Sequence, residues 1–135
     1  MRIFLADDST PLLKSLESLL SDVEKLEIVG RAQTAREAMR GVENLKPDLL
    51  ILDLRIPVEG GLEVLRTIAQ SCPATRTIVL TSYAYPQYRR ECARLGAEFF
   101  FDKATESQEL VPLIRRLIEA GPENGPAGAR QQGTM

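Results

Sequence analysis

The chain has 135 residues, 44% of them hydrophobic and 27% charged, with a formal net charge of −2 and no histidine. That length fits one folded unit whose core needs no metal or disulfide support. The charge balance argues against a basic nucleic-acid or membrane-surface binder, and the missing histidine excludes histidine triads, histidine-ligated zinc and a phosphohistidine carrier. Two separated cysteines, Cys72 and Cys92, are too few for a disulfide framework or a metal cluster and read as reduced thiols. Met1-Arg2-Ile3-Phe4-Leu5-Ala6 runs into Asp7-Asp8 instead of a signal-peptide core, and the apolar runs are too short for a bilayer, so a cytoplasmic location is expected.

In chain order, a first apolar run, Ile3 to Ala6, predicts a strand, and Leu12, Leu13, Leu16, Leu19 and Leu20 then keep helical spacing behind Thr10 as N-cap and Pro11 at the first helical position. A second strand is predicted over Leu26 to Val29. A helix follows with Ala35, Ala38, Met39 and Val42 on one face, opened by the capping box Thr34-Ala35-Arg36-Glu37. Leu49 to Leu52 is the third strand, and Leu62, Leu65 and Ile68 mark the third helix. Ile78 to Leu80 is the fourth strand, Tyr88 to Leu95 the fourth helix with Gly96 as its stop, and Phe99 to Phe101 the fifth strand. The last helical pattern covers Leu110 to Ile118. Pro112 lies within it, so the helix must begin near Ser107 to Glu109 to place that proline in its first turn, and Gly121-Pro122 ends it. Residues 121–135 have almost no apolar content and are rich in Gly, Pro and Gln, which predicts a disordered tail beyond a folded unit of residues 1–120.

Strict alternation predicts an α/β fold, a parallel sheet covered by helices on both faces, with the loops after the strand carboxyl ends gathered at one edge. Four chemistry-bearing positions fall at that edge: Asp7-Asp8 after the first strand, Asp53 after the third, Thr81 after the fourth and Lys103 just beyond the fifth. Converging carboxylates repel and raise one another's pKa unless a cation neutralises them, and a hard divalent ion such as Mg2+ suits an all-oxygen set. Taken singly, each residue has an ordinary reading. Asp7 and Asp8 could cap the helix near Thr10, Asp53 could open a loop, Thr81 could be a turn residue and Lys103 a solvated lysine. The combination is what carries weight.

On Asp7-Asp8, on Asp53-Leu54-Arg55-Ile56-Pro57 followed by Gly60-Gly61, on Thr81-Ser82, on Gly96-Ala97 and on Lys103, the chain resembles the receiver domains of bacterial two-component response regulators, from Met1 to about Ala120. The resemblance implies a flavodoxin-like doubly wound (βα)5 sandwich with strand order 2-1-3-4-5. It implies that Asp53 is the phosphoacceptor, that Asp8, Asp53 and the Arg55 backbone carbonyl bind Mg2+ with Asp7 acting through water, and that Thr81 and Lys103 contact the phosphoryl group. The donor would be a sensor histidine kinase or a histidine phosphotransfer protein. The family's aromatic switch position corresponds to Phe100, which reads equally as a fixed core phenylalanine. Such a protein is a signalling phosphoacceptor and not an enzyme in the ordinary sense.

The leading expectation is a single-domain response regulator that changes protein contacts, with a phosphorylation-linked homodimer among the candidate outputs, an unknown output protein and no direct nucleic-acid contact. The alternatives are the receiver fragment of a longer DNA-binding regulator and a pseudo-receiver that works without phosphorylation. Arg89, Arg90, Arg94, Arg115 and Arg116 are candidate partner contacts or plain solvated helix faces. Ala104 stands after Lys103 where many relatives carry proline. Arg55 and Tyr83 flank the line of attack for hydrolytic water, and their bulk predicts slow self-dephosphorylation. A phosphatase with an aspartate nucleophile would want a second acid where Arg55 stands, and a flavin-binding protein would want a phosphate-cradling loop where Asp7-Asp8 would repel the anion.

Overall fold

The strands of the sheet form around short apolar runs bounded by polar residues. In the computed structural model, which describes residues 1–56 and 60–121, they are β1 (Arg2–Ala6), β2 (Glu27–Ala32), β3 (Leu49–Leu52), β4 (Arg76–Thr81) and β5 (Phe99–Asp102). All four neighbouring pairs run parallel, in the order β2-β1-β3-β4-β5. The helices are α1 (Thr10–Leu20), α2 (Ala35–Leu45), α3 (Gly60–Ser71), α4 (Pro86–Arg94) and α5 (Leu110–Ala120). This is the flavodoxin-like (βα)5 architecture that the resemblance implies. The expected tail, Gly121 apart, lies outside the described residues, as does Pro57.

Successive strand side chains point to opposite faces, so each inner strand feeds two cores. Ile3, Leu5, Leu49, Ile51, Ile78 and Leu80 pack with Leu13, Leu16 and Leu20 of α1 and with Leu110, Leu113, Ile114 and Leu117 of α5. Phe4, Ala6, Leu50, Leu52 and Val79 pack on the other side, against Ala35, Ala38 and Val42 of α2, Val64, Leu65 and Ile68 of α3, and Cys92 of α4. Burying each large aliphatic side chain contributes roughly 1.5–3 kcal/mol, so these two layers hold the sheet and fix which edge its loops reach. Both cysteines are buried and unpaired, as expected of structural thiols.

Local signals set most element ends. Thr34 caps α2, its hydroxyl accepting from Glu37 N–H at 3.2 Å, while the Glu37 carboxylate reaches back to the N–H of Gln33 at 2.9 Å, one residue earlier than a regular capping box. The cap of α1 is Ser9, not Thr10: the Ser9 hydroxyl accepts from Leu12 N–H at 3.3 Å and Thr10 is the first helical residue. α4 ends in a Schellman motif, with Gly96 at φ +108° and Ala97 N–H donating to the Cys92 carbonyl at 2.9 Å. A 3₁₀ turn, Ser107–Glu109, precedes α5, so Pro112 is its third residue and lacks an N–H where no intrahelical partner exists.

Several elements extend beyond the predicted spans; β4, for one, runs from Arg76 to Thr81 instead of Ile78 to Leu80. β2 continues through Gly30-Arg31-Ala32 after a bulge, where Ile3 pairs with Ile28 and Phe4 with Gly30. α4 starts at Pro86, two residues before Tyr88, because proline at the first helical position is pre-set for the turn. Among the described residues no helix is long and apolar enough to cross a membrane.

Candidate functional site

The carboxyl end of β1 delivers Asp7 and Asp8, and the carboxyl end of neighbouring β3 delivers Asp53. One carboxylate oxygen from each of the three lies within 4.8 Å of the others. Asp7 and Asp53 are each only 3% exposed, whereas Asp8 is exposed. Burial by itself disfavours a carboxylate, so these two need local donors. The backbone supplies one each: Ser9 N–H donates to Asp7 Oδ1 at 2.9 Å, and Arg55 N–H donates to Asp53 Oδ1 at 3.2 Å. Both are two-residue-ahead turns of the kind aspartates form with their own backbone.

Lys103 supplies the positive charge. From the loop after β5 its Nζ donates to Asp7 Oδ2 at 2.8 Å and to Asp53 Oδ2 at 3.1 Å. Three carboxylates and one ammonium leave two uncompensated negative charges. At 4 to 5 Å and an effective dielectric near 20, each carboxylate pair repels by roughly 3–4 kcal/mol, so the cluster is electrostatically unfinished. Asp7 registers this. Its pKa is raised above the ordinary carboxylate value, first by burial and further by the Asp53 charge, although Lys103 and the Ser9 N–H pull it down.

Thr81 ends β4, the next strand, and is fully buried. Its hydroxyl accepts the Tyr83 N–H at 3.1 Å, which leaves its own hydrogen to donate. Its carbonyl accepts the Lys103 N–H at 3.0 Å, tying the two strand ends together. The Arg55 guanidinium lies 5.0 Å from the centre of the exposed Tyr83 ring, so these two side chains meet over the same rim. Phe100 is half-buried against the core shared by α2, α3 and α4. All described peptide bonds are trans, including Lys103–Ala104.

The fold thus gathers Asp7, Asp8, Asp53 and Lys103 within direct reach and sets Thr81 on the adjoining strand end. Gly61 permits part of this, because its N–H donates to the Leu54 carbonyl at 3.1 Å and a Cβ there would come within 2.6 Å of Leu54 Cα. Sequence reasoning missed two supporting residues. Ser9, which holds Asp7 as well as capping α1, competes with Thr10 as the obvious cap. Glu106 accepts the Asp102 N–H at 2.8 Å beside the lysine, and no local motif marks it.

The family model for the response regulator receiver domain matches residues 3–115. Among curated relatives, an uncharacterized transcriptional regulatory protein YhcZ of Bacillus subtilis is 37% identical over 111 residues, 82% of this chain and 52% of that protein. The transcriptional regulatory protein DesR of the same species is 32% identical over 116 residues, 86% of this chain and 57% of that protein. This chain therefore spans little more than half the length of either. Among solved structures, a LuxR-family two-component response regulator from Aurantimonas superposes with a TM-score of 0.81 at 28% identity, covering 88% of this chain and 85% of that one. The response regulator domain of Thermotoga maritima CheB gives 0.80 at 25% identity, covering 93% and 98%. With the site geometry and these likenesses together, the chain belongs to the response regulator receiver domain family, a family of signalling phosphoacceptors.

Proposed function

We propose that this protein takes a phosphoryl group from a phosphohistidine donor onto Asp53 and changes its protein contacts as a result. The observation that carries the reading is the unfinished charge of the site: buried Asp53 shares one ammonium with Asp7, and Asp8 completes a set of oxygens close enough to hold one ion. That donor set, all carboxylate with Asp8 open to solvent, fits Mg2+, with Asp8, Asp53 and the Arg55 carbonyl as ligands and Asp7 acting through water. Bound there, Mg2+ would supply neutralising charge for the carboxylates and the phosphoryl oxygens.

The remaining chemistry belongs to the chain's own residues. A carboxylate oxygen of Asp53 forms the new bond to phosphorus as the bond to the donor breaks and its electron pair leaves with the donor. Lys103 turns toward the incoming phosphoryl oxygens, and the Thr81 hydroxyl donates to another. No general base is required, so the absence of histidine is no obstacle. A phosphoryl oxygen that draws in Thr81 alters the packing beside Phe100, which would carry the change toward α4 and α5.

The test is incubation with a small acyl phosphate, with and without Mg2+, followed by intact mass measurement of wild type and Asp53→Asn. A gain of one phosphoryl group that needs Mg2+ and disappears in Asp53→Asn is expected. Wild type that stays unmodified with Mg2+ present would favour a phosphorylation-independent interaction module. YhcZ and DesR are called transcriptional regulatory proteins and are longer, so transcriptional control is said of them, and only the receiving step is proposed here.

A further inference from the structure

Arg89, on the exposed side of α4, makes three contacts at once. Nη1 donates to the Phe100 carbonyl at 3.1 Å, the guanidinium carbon lies 4.6 Å from the centre of the Phe100 ring, and Nη2 pairs with Glu106 Oε1 at 3.0 Å. The same Glu106 oxygen accepts the Asp102 N–H at 2.8 Å. Asp102 is further bound through its carbonyl, which accepts the Glu106 N–H at 2.8 Å, and through its carboxylate, which accepts the Ala104 N–H at 2.9 Å. The next residue is Lys103, whose own N–H is held by Thr81. One guanidinium therefore fastens a helix, the strand beside it and the loop that carries the site's ammonium.

We propose that Arg89 is a positioning residue: it holds Phe100 and the Glu106 loop as one unit and, through Asp102, fixes the backbone that presents Lys103 to the site. The pair is partly open to solvent, with the Arg89 and Glu106 side chains 45% and 30% accessible, so its hold comes from three contacts acting together. A planar guanidinium can stack on a ring and donate along two edges together, which an ammonium cannot. The Glu106 carboxyl is held below its usual range first by the Asp102 N–H and then by Arg89, consistent with a carboxylate engaged from both sides.

The Lys103 part of the proposal rests on the phosphoacceptor reading, and the clasp itself does not. The experiment uses the full chain, unphosphorylated, as wild type, Arg89→Ala, Arg89→Lys, Glu106→Gln and the Arg89→Ala/Glu106→Gln double variant. Backbone amide signals of Asp102 and Lys103 and the Phe100 ring signals are followed by NMR. Arg89→Ala should move all three. Glu106→Gln should move the amides, Arg89→Lys should move the ring while leaving the amides near wild type, and the double variant should go little beyond Arg89→Ala, because the residues act together. In the acyl phosphate assay, Arg89→Ala should slow uptake at saturating donor by about 3- to 10-fold, the scale of one exposed cation–π contact plus one surface ion pair, with half-saturation unchanged. Unmoved Asp102 and Lys103 amides in Arg89→Ala, or strictly additive effects in the double variant, would overturn the proposal. Wild type that takes up no phosphate sinks the phosphoacceptor reading, and the amide and ring signals still decide the clasp.

Discussion

Asp7 carries the strain of the site at the scale of a single residue. Its folded-state pKa is raised, chiefly by burial, so the folded chain binds a proton there more tightly than the unfolded chain. Its contribution to stability is therefore full below the unfolded value and is lost as pH rises through the folded one. Asp7→Asn should raise the melting temperature of the metal-free protein at neutral pH by about 2–5 °C, an advantage that shrinks on acidification. Equal melting temperatures for wild type and Asp7→Asn at pH 7 would contradict this account. Arg55 and Tyr83 act at the same scale. On the proposed reading, their contact over the rim, 5.0 Å from guanidinium carbon to ring centre, would obstruct the approach of water to a phosphorylated Asp53. Arg55→Ala and Tyr83→Ala should each shorten the phosphate lifetime, by about 2- to 5-fold if the cation–π contact sets the obstruction. The measurement is loss of the phosphorylated mass with time after donor removal, and rates unchanged in both variants would reject it.

At the scale of elements, one helix and one strand meet more closely than propensity alone would advise. Gly41 in α2 faces the Phe4 ring of β1, and a Cβ there would overlap it. Replacing glycine with alanine inside a helix ordinarily gains up to about 1 kcal/mol. Here the buried ring cannot yield, and overpacking costs about 1–3 kcal/mol, so the clash wins. Gly41→Ala should lower the urea midpoint, and Phe4→Leu in the same chain should restore part of the loss. Equal midpoints for wild type and Gly41→Ala would show that Phe4 moves freely. Such contacts mark the limit of what periodicity reveals. The five strands and five helices follow from runs and spacings, because each buried face repeats every two or every three to four residues. The end of β2 does not, since an edge strand that bulges at Val29 and continues through Gly30-Arg31 loses the apolar signal. Asp7, Asp8, Asp53, Thr81 and Lys103 are legible because alternation alone places strand ends on one rim. The clasp of Arg89, Phe100 and Glu106 is not, because it depends on how α4 leans on β5, which no spacing encodes.

At the scale of the whole molecule, a fold whose functional edge holds surplus negative charge should be steadied by the ion that completes it. On the proposed reading, Mg2+ at a hundred times its dissociation constant stabilises the folded chain by about 2.7 kcal/mol. Thermal unfolding should therefore shift upward with Mg2+ in wild type and shift much less in Asp53→Asn or Asp8→Asn. A chain whose melting temperature ignores Mg2+ would have no divalent site of this kind.

The opposite pole of the sheet is built on another plan. There Arg76 and Glu98 form a bidentate pair, with Nη2 to Oε2 at 2.9 Å and side chains only 8% and 13% accessible. Their charges cancel. A matched buried pair can often be exchanged for well-packed apolar residues without loss, whereas removing one partner strands the other. The molecule thus balances its charges at one end of the sheet and leaves them unbalanced at the other. Anyone wishing to make a hardier version of this chain could rework Arg76 and Glu98 jointly while leaving the carboxylate rim untouched.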